Sequence, residues 1–317
     1  MRLTRLLFFV LSVPSLCFAQ SKELLSRIAL NHKAKKLSYE QKNDSVILLS
    51  KYLNDNRTYD PYDIYGLVAK AYLEKGNKTI GLKYVRLTIE HQGYHDVGNM
   101  KYNLKKYKLD SLKEYQNIIA GFDKLFNQYT SSLNFSALNT CQEIFYTDMR
   151  IRNIWMYTND SVKRAYTDIN MYYNDSVNAV ALTKLMQKIG YFPGVRELGP
   201  SFVSMFNYSV KHYAYLMNRD TLYYYLRVST LSGDLPNYFG PSVFDKMEYD
   251  VKRPLIYGAY GNSGDYSEDG TYNFEPIKDI EYADKRRAEF LLPPLYKEKE
   301  LQKCKMPLGY DPATQKN

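Results

Sequence analysis

Hydrophobic residues recur every three to four positions along most of this chain, which is the spacing of one face of an α-helix. Residues 22–38 place Leu24, Leu25, Ile28 and Ala29 together, and residues 45–53 do the same with Val46, Leu48, Leu49 and Leu53. Pro61 opens a segment in which Ile64, Leu67, Val68, Ala71 and Tyr72 keep helical register until Gly76-Asn77 stops it. A partner helix starts near Lys78, carries Leu82, Val85, Leu87 and Ile89, and ends at Gly93. The polar, charge-poor stretch QYTSSLNFSALNT (128–140) then interrupts the pattern and predicts a domain boundary near 130. Helical spacing returns at 141–158, 161–172, 176–189, 201–217, 219–230 and 241–249. From 254 onward Pro, Gly, Asp and Tyr dominate, and YGAYGNSGDYSEDGTYNFEP (257–276) predicts a long irregular loop, ordered by its aromatic residues. The expectation is an all-α fold.

The stretch GLVAKAYLEKGNKTIGLKYVRLTIEHQGY (66–94) resembles a tetratricopeptide repeat, with Ala69, Ala71, Gly76 and Tyr84 in place. LKKYKLDSLKEYQNI (104–118) looks like the extended helix that closes such a unit. A lone hairpin cannot bury its apolar face, so the helices at 22–53 and 110–130 are expected to pack on it. The expected organisation is a signal peptide at 1–19, a tetratricopeptide-like region at 20–130, a helical domain at 131–300 and a tail at 301–317.

The signal-peptide expectation rests on Arg2 and Arg5, the apolar run Leu6–Val13, and a small residue, Ala19, before Gln20. That run is too short, and too soon broken by Pro14, to span a bilayer, and no later run could. Export to a periplasm or beyond follows. Net charge is +9 and falls to +7 without Arg2 and Arg5, and the basic clusters at 33–36, 104–108 and 285–287 are short and lie on helix faces. In an exported protein they argue against nucleic acid as partner and towards anionic envelope surfaces. Cys141 and Cys304 remain after cleavage, able to pair in an oxidising compartment, and no C-x-x-C is present.

Signals for familiar chemistry are sparse. His91 and His95 have the spacing of a zinc pair, but Gly93 between them should end the helix, so no metal or other cofactor is expected. Residues 265–270 imitate the start of a calcium loop, yet Pro276 stands where a bidentate Glu is needed. No nucleophile elbow and no phosphate-cradling glycine loop occurs. What remains is a polar set around His212, which sits within an apolar helix. Asp148 or Asp245 can orient its imidazole, and Arg152 and Lys246 can bind an anion, an arrangement suited to general acid–base hydrolysis. The competing reading makes Asp148–Arg152 and Asp245–Lys246 interhelical ties and His212 a core residue.

Over about 140–300 the sequence resembles a bacterial family known as domain of unknown function 6624. The matching positions are Asp148 and Arg152, Asp175 and Asn178, Gly190, Pro193, His212, Asp245, Pro254, Tyr257, Gly258, Arg286 and Arg287. The candidate ligand-binding set is Arg152, Asp175, Asn178, Lys246, Tyr257, Gly258 and Arg287, with Lys246 standing where the family has Arg. Departures fall on amides: Met149, Leu255 and Tyr260 replace glutamines, and each loss removes a donor and an acceptor. The tetrapeptide NDSV occurs at 43, 159 and 174. The first two copies read as helix N-caps, and the third, containing Asp175, is expected to open a helix at the family's D-x-x-N. Two functions stay in play. One is a non-enzymatic envelope interaction protein, with the N-terminal concave face meeting a protein or a small polar ligand. The other is a small-substrate hydrolase or transferase centred on His212.

Overall fold

The structure is a computed structural model that describes residues 30, 33–34, 36–38, 40–49, 64–92, 97–131, 133–260, 272–297 and 304–316. The signal segment, His32, Pro61, His95 and residues 265–270 lie outside the described residues. The fold is all-α. Twelve α-helices can be followed through the described residues.

The N-terminal part is built around a helical hairpin. Helix α1 (Asn43–Leu49) precedes α2 (Ile64–Glu74) and α3 (Lys78–Gln92). Gly76 takes a left-handed φ of 78° at the turn, where a side chain would be strained. Asn77 then caps α3 by accepting the Ile80 N–H at 3.2 Å. Tyr65, Val68, Ala69, Ala71 and Leu73 pack on Leu82, Val85 and Ile89, whereas Leu67 and Tyr72 of the expected face are only partly buried. Residues 104–118 do not form the single closing helix expected from the sequence. Helix α4 (Val97–Leu104) ends in a 3₁₀ turn, Lys108 adopts a left-handed φ of 51°, and α5 (Lys113–Ala120) starts afresh. The break lets Leu109 bury itself beside the hairpin. After Gly121, α6 (Phe122–Ser131) adds Phe122 and Leu125 to the same core.

A second core begins beyond residue 134. Helix α7 (Phe135–Tyr157) is capped by Asn134, and α8 (Ser161–Ile189) by Asp160, whose carboxylate accepts from the Val162 and Lys163 amides. This capping role matches the reading of the second NDSV copy. The third copy is corrected: residues 174–177 lie inside α8, which runs unbroken across the expected start at 176. Asp175 and Asn178 are buried there and face α7 instead of a helix end. The first copy reaches sideways, with Asn43 donating to Glu74 and Asp44 accepting from Lys75.

Helix α9 (Val195–Tyr213) kinks at Gly199, and α10 (Arg219–Leu231) and α11 (Phe239–Asp250) follow. Phe192, Phe206, Val210, Leu222, Leu226, Phe239 and Phe244 form the centre of this core. The chain then runs through α12 (Ala283–Ala288) and a two-residue parallel pairing of β1 (Tyr272–Asn273) with β2 (Cys304–Lys305). The two cores touch where Gly199 lies under Tyr129, so close that a Cβ there would sit 1.8 Å from the phenol oxygen. Cys141 carries a free, fully buried thiol.

Candidate functional site

Three helices meet at a buried cluster of charges. Asp148 and Arg152 stand one turn apart on α7, Asp175 faces them from α8, and His212 approaches from the last turn of α9. Asp148 is fully buried, and its Oδ2 lies 2.8 Å from His212 Nδ1. Its Oδ1 lies 2.9 Å from Arg152 Nη1. The other guanidinium nitrogen donates to both oxygens of Asp175, at 3.1 and 3.0 Å. Arg152 is thus committed to two carboxylates before any ligand arrives. Burial raises the Asp175 carboxyl above its usual range; Arg152 opposes this and the Asp148 charge reinforces it. His212 keeps 27% of its side chain exposed and Arg152 19%, so the cluster touches solvent at these two groups. Of the set expected around His212, the structure brings Asp148 and Arg152 together with it and adds Asp175 from α8, while Asp245 and Lys246 make other contacts. Asn178 belongs to the same helix pair, donating to the Ile144 carbonyl at 3.4 Å.

The other candidates are elsewhere, fastening backbone. Asp245 does not orient His212. It is fully buried, and its oxygens accept from the amides of Ile256, Tyr257 and Ala259 at 2.7, 2.8 and 2.6 Å. Its carboxyl is raised by burial, with those amides pulling the other way. Tyr257 is a buried core residue packed on Phe244 and Phe290. Arg287 is buried and donates to the carbonyls of Pro293 and Tyr257, both at 2.7 Å, and more distantly to Gly258 at 3.5 Å. Gly258 itself turns with a φ of 61° where Ile277 would crowd a Cβ. Arg286 binds the Ile256 carbonyl at 3.0 Å, and Asp284 holds the Leu295 amide and the Tyr310 hydroxyl. Residues 245–258 and 284–287 therefore act as a clasp for the C-terminal segment. Lys246 pairs with Asp250, one turn along α11.

Two further surfaces stand out. A groove of about 530 Å³ opens between α2, α3 and α4, lined by Leu67, Val85, Met100 and Tyr102 with Lys70 and Lys106 at its edge. The second surface was missed by the sequence reading. Val162, Tyr166, Ile169, Tyr173, Val177 and Val180 form a continuous stripe along α8, each between 48% and 77% exposed. Their spacing of three to four residues keeps them on one helix face. The signal was legible, since α8 is apolar on two faces, but splitting it into two helices hid the length of the stripe. Among the described residues no group of three or more His, Cys, Asp and Glu side chains is placed to hold a metal ion, and His91 lies against the Tyr65 ring.

Comparison with known proteins returned no matching family model, no matching curated protein and no matching solved structure.

Proposed function

We propose that this chain is an exported, non-enzymatic interaction protein that meets a protein partner through the exposed stripe on α8. The stripe carries the reading. Six large apolar side chains in one row, with Tyr157 and Tyr172 nearby and also exposed, exceed what a chain without a partner ordinarily leaves in water. Aromatic residues are enriched at protein interfaces because they add contact area at little entropic cost. The committed state of Arg152 supports the same reading, since the cation best placed to hold a substrate anion is already neutralised. A partner helix with a complementary apolar face fits such a row, as in helix-in-groove recognition. Export, membership of family 6624 and tetratricopeptide kinship belong to this proposal; they rest on the first twenty residues, the order of positions 148–287 and the α2–α3 hairpin.

The test places a photo-crosslinking residue at Tyr166 or Tyr173 in the full chain within its native envelope, with Tyr224, exposed on another element, as control. A single discrete adduct from the α8 positions, lost on Ile169→Glu, is expected. Equal adducts from Tyr224, or none from α8, would overturn the reading. One observation favours acid–base catalysis as the second reading: the 2.8 Å contact to Asp148 fixes His212 Nδ1, and Nε2 of this part-exposed ring has no hydrogen-bond partner among the described residues.

A further inference from the structure

Helices α7 and α8 pair along their length, yet neither hydrophobic core draws a residue from 146–178. Of residues 151–170, all of them described, Thr167 alone is buried, so the outer half of the α7–α8 hairpin stands clear of both cores. The same stretch holds Tyr157, Val162, Tyr166, Ile169 and Tyr173 out in water. Helices in proteins owe most of their stability to packing an apolar face, and this one lacks anything within the chain to pack on. The row on α8 has a regular rhythm. Val162, Tyr166, Ile169, Tyr173 and Val180 follow at intervals of four, three, four and seven, the a/d spacing of a helix seam, with Val177 one place off it. It also reads nearly alike in reverse. Turned end for end about the level of Met171, the row sets Val162 against Val180 and Ile169 against Tyr173, and Tyr166 falls one place from Val177.

We propose that the partner of this row is a second copy of the chain, packed antiparallel along α8 about a two-fold axis at the level of Met171. The inference rests on the proposed use of the α8 stripe and adds the identity of what meets it. A two-fold interface is self-complementary, each contact occurring twice, and a row that reads alike in both directions supplies that. A parallel pair would instead set Tyr166 on Tyr166 and Tyr173 on Tyr173. It would also press the two helical bodies together, because Leu182, Leu185 and Met186 anchor α8 to its core near the C-terminal end. The antiparallel pair lays each outer hairpin on the exposed flank of the other copy at Tyr173, Val177 and Val180, with the bodies at opposite ends. The area is of the right size: at the exposures found, the six side chains hold out roughly 700 Å², against roughly 800 Å² per partner in a standard interface. A bilayer suits the hairpin less. It would be met by the tip, which is the polar run Thr158-Asn159-Asp160-Ser161, whereas the apolar row extends along the side for roughly 27 Å.

The experiment uses the full chain purified from its native envelope. Sedimentation equilibrium should show a dimer, and Ile169→Glu, at a position already exposed, should weaken it at least about tenfold with helix content unchanged. A photo-crosslinking residue at Val162 should give an adduct of two chains whose peptide maps around Val180 of the second copy, and one at Tyr173 should map around Ile169. A chain that stays monomeric overturns the inference, as do adducts that join Val162 to Val162 in parallel register. In the envelope itself, an α8 adduct to a different protein would overturn it while the proposed function stands, whereas no α8 adduct at all removes both. Flotation of monomers with phosphatidylglycerol vesicles, abolished by Ile169→Glu, would overturn it in favour of a lipid surface.

Discussion

Asp148 on α7 holds the Nδ1 of His212 on α9 at 2.8 Å, although the two residues are 64 positions apart in the chain. The same carboxylate meets Arg152, which in turn grips Asp175 on α8. One buried acid therefore ties the three longest helices together, and the arginine is what makes two buried acids tolerable.

Replacing Arg152 by Met should consequently destabilise the fold at pH 7 by about 3–5 kcal/mol, since Asp175 loses its counter-charge and Asp148 is left with His212 alone. Burial already raises the Asp175 carboxyl, and losing Arg152 raises it further, so in the variant the folded form binds a proton there before the unfolded form does. Stability of the variant then rises as pH falls towards 4–5, and its deficit against the unaltered chain should narrow. Chemical denaturation at pH 7 and pH 5 measures the gap; an unchanged gap would sink this account of the cluster.

Asp245→Asn tests the clasp. The carboxylate accepts three short backbone N–H bonds, and an amide can offer only one acceptor oxygen while turning an N–H₂ group towards the remaining donor. A loss of about 3 kcal/mol is expected, accompanied by faster amide exchange at Ile256, Tyr257 and Ala259. Slow exchange at those three amides in the variant would show that something other than Asp245 holds the turn.

The contact between the two cores makes its own prediction. Gly199→Ala combines a left-handed φ of 75° with a Cβ placed 1.8 Å from the Tyr129 oxygen. It should cost at least about 2 kcal/mol. Adding Tyr129→Ala removes the collision but not the backbone strain, so the double variant should be less unstable than the two single losses added together. Strict additivity would mean the two residues do not press on each other.

Lys211→Met should stabilise the chain by about 1 kcal/mol at pH 7, because a part-buried charge without an ion pair among the described residues is exchanged for an apolar chain of similar length. The sign follows from its lowered folded value, about 8 against 10.5 unfolded. Below 8 both states carry the charge and the folded state bears the full cost of burying it. Between 8 and 10.5 the unfolded state binds more protons, so the unaltered chain gains stability as pH rises and the advantage of the variant fades. Melts at pH 7 and pH 10 check this, and a stabilisation equal at both would exclude it.

Much of the architecture was legible from local pattern alone. The α2–α3 hairpin is specified by apolar spacing, by a glycine able to take a left-handed φ, and by an asparagine able to cap, all properties of neighbours in the chain. The all-α class follows from the same periodicity. So does the pairing of Asp148 with Arg152, because residues four apart on a helix must face one way. Only the tertiary structure decided which polar residues share a site. Asp245, Tyr257 and Arg287 carry chemistry suited to a pocket, yet long-range packing turns them onto backbone amides, core rings and carbonyls. It also joined 161–172 and 176–189 into one helix. A buried Asp175 is tolerated mid-helix because Arg152 on the next helix satisfies it, and no local rule could supply that partner. The joining leaves one uninterrupted row of apolar side chains along α8 facing water.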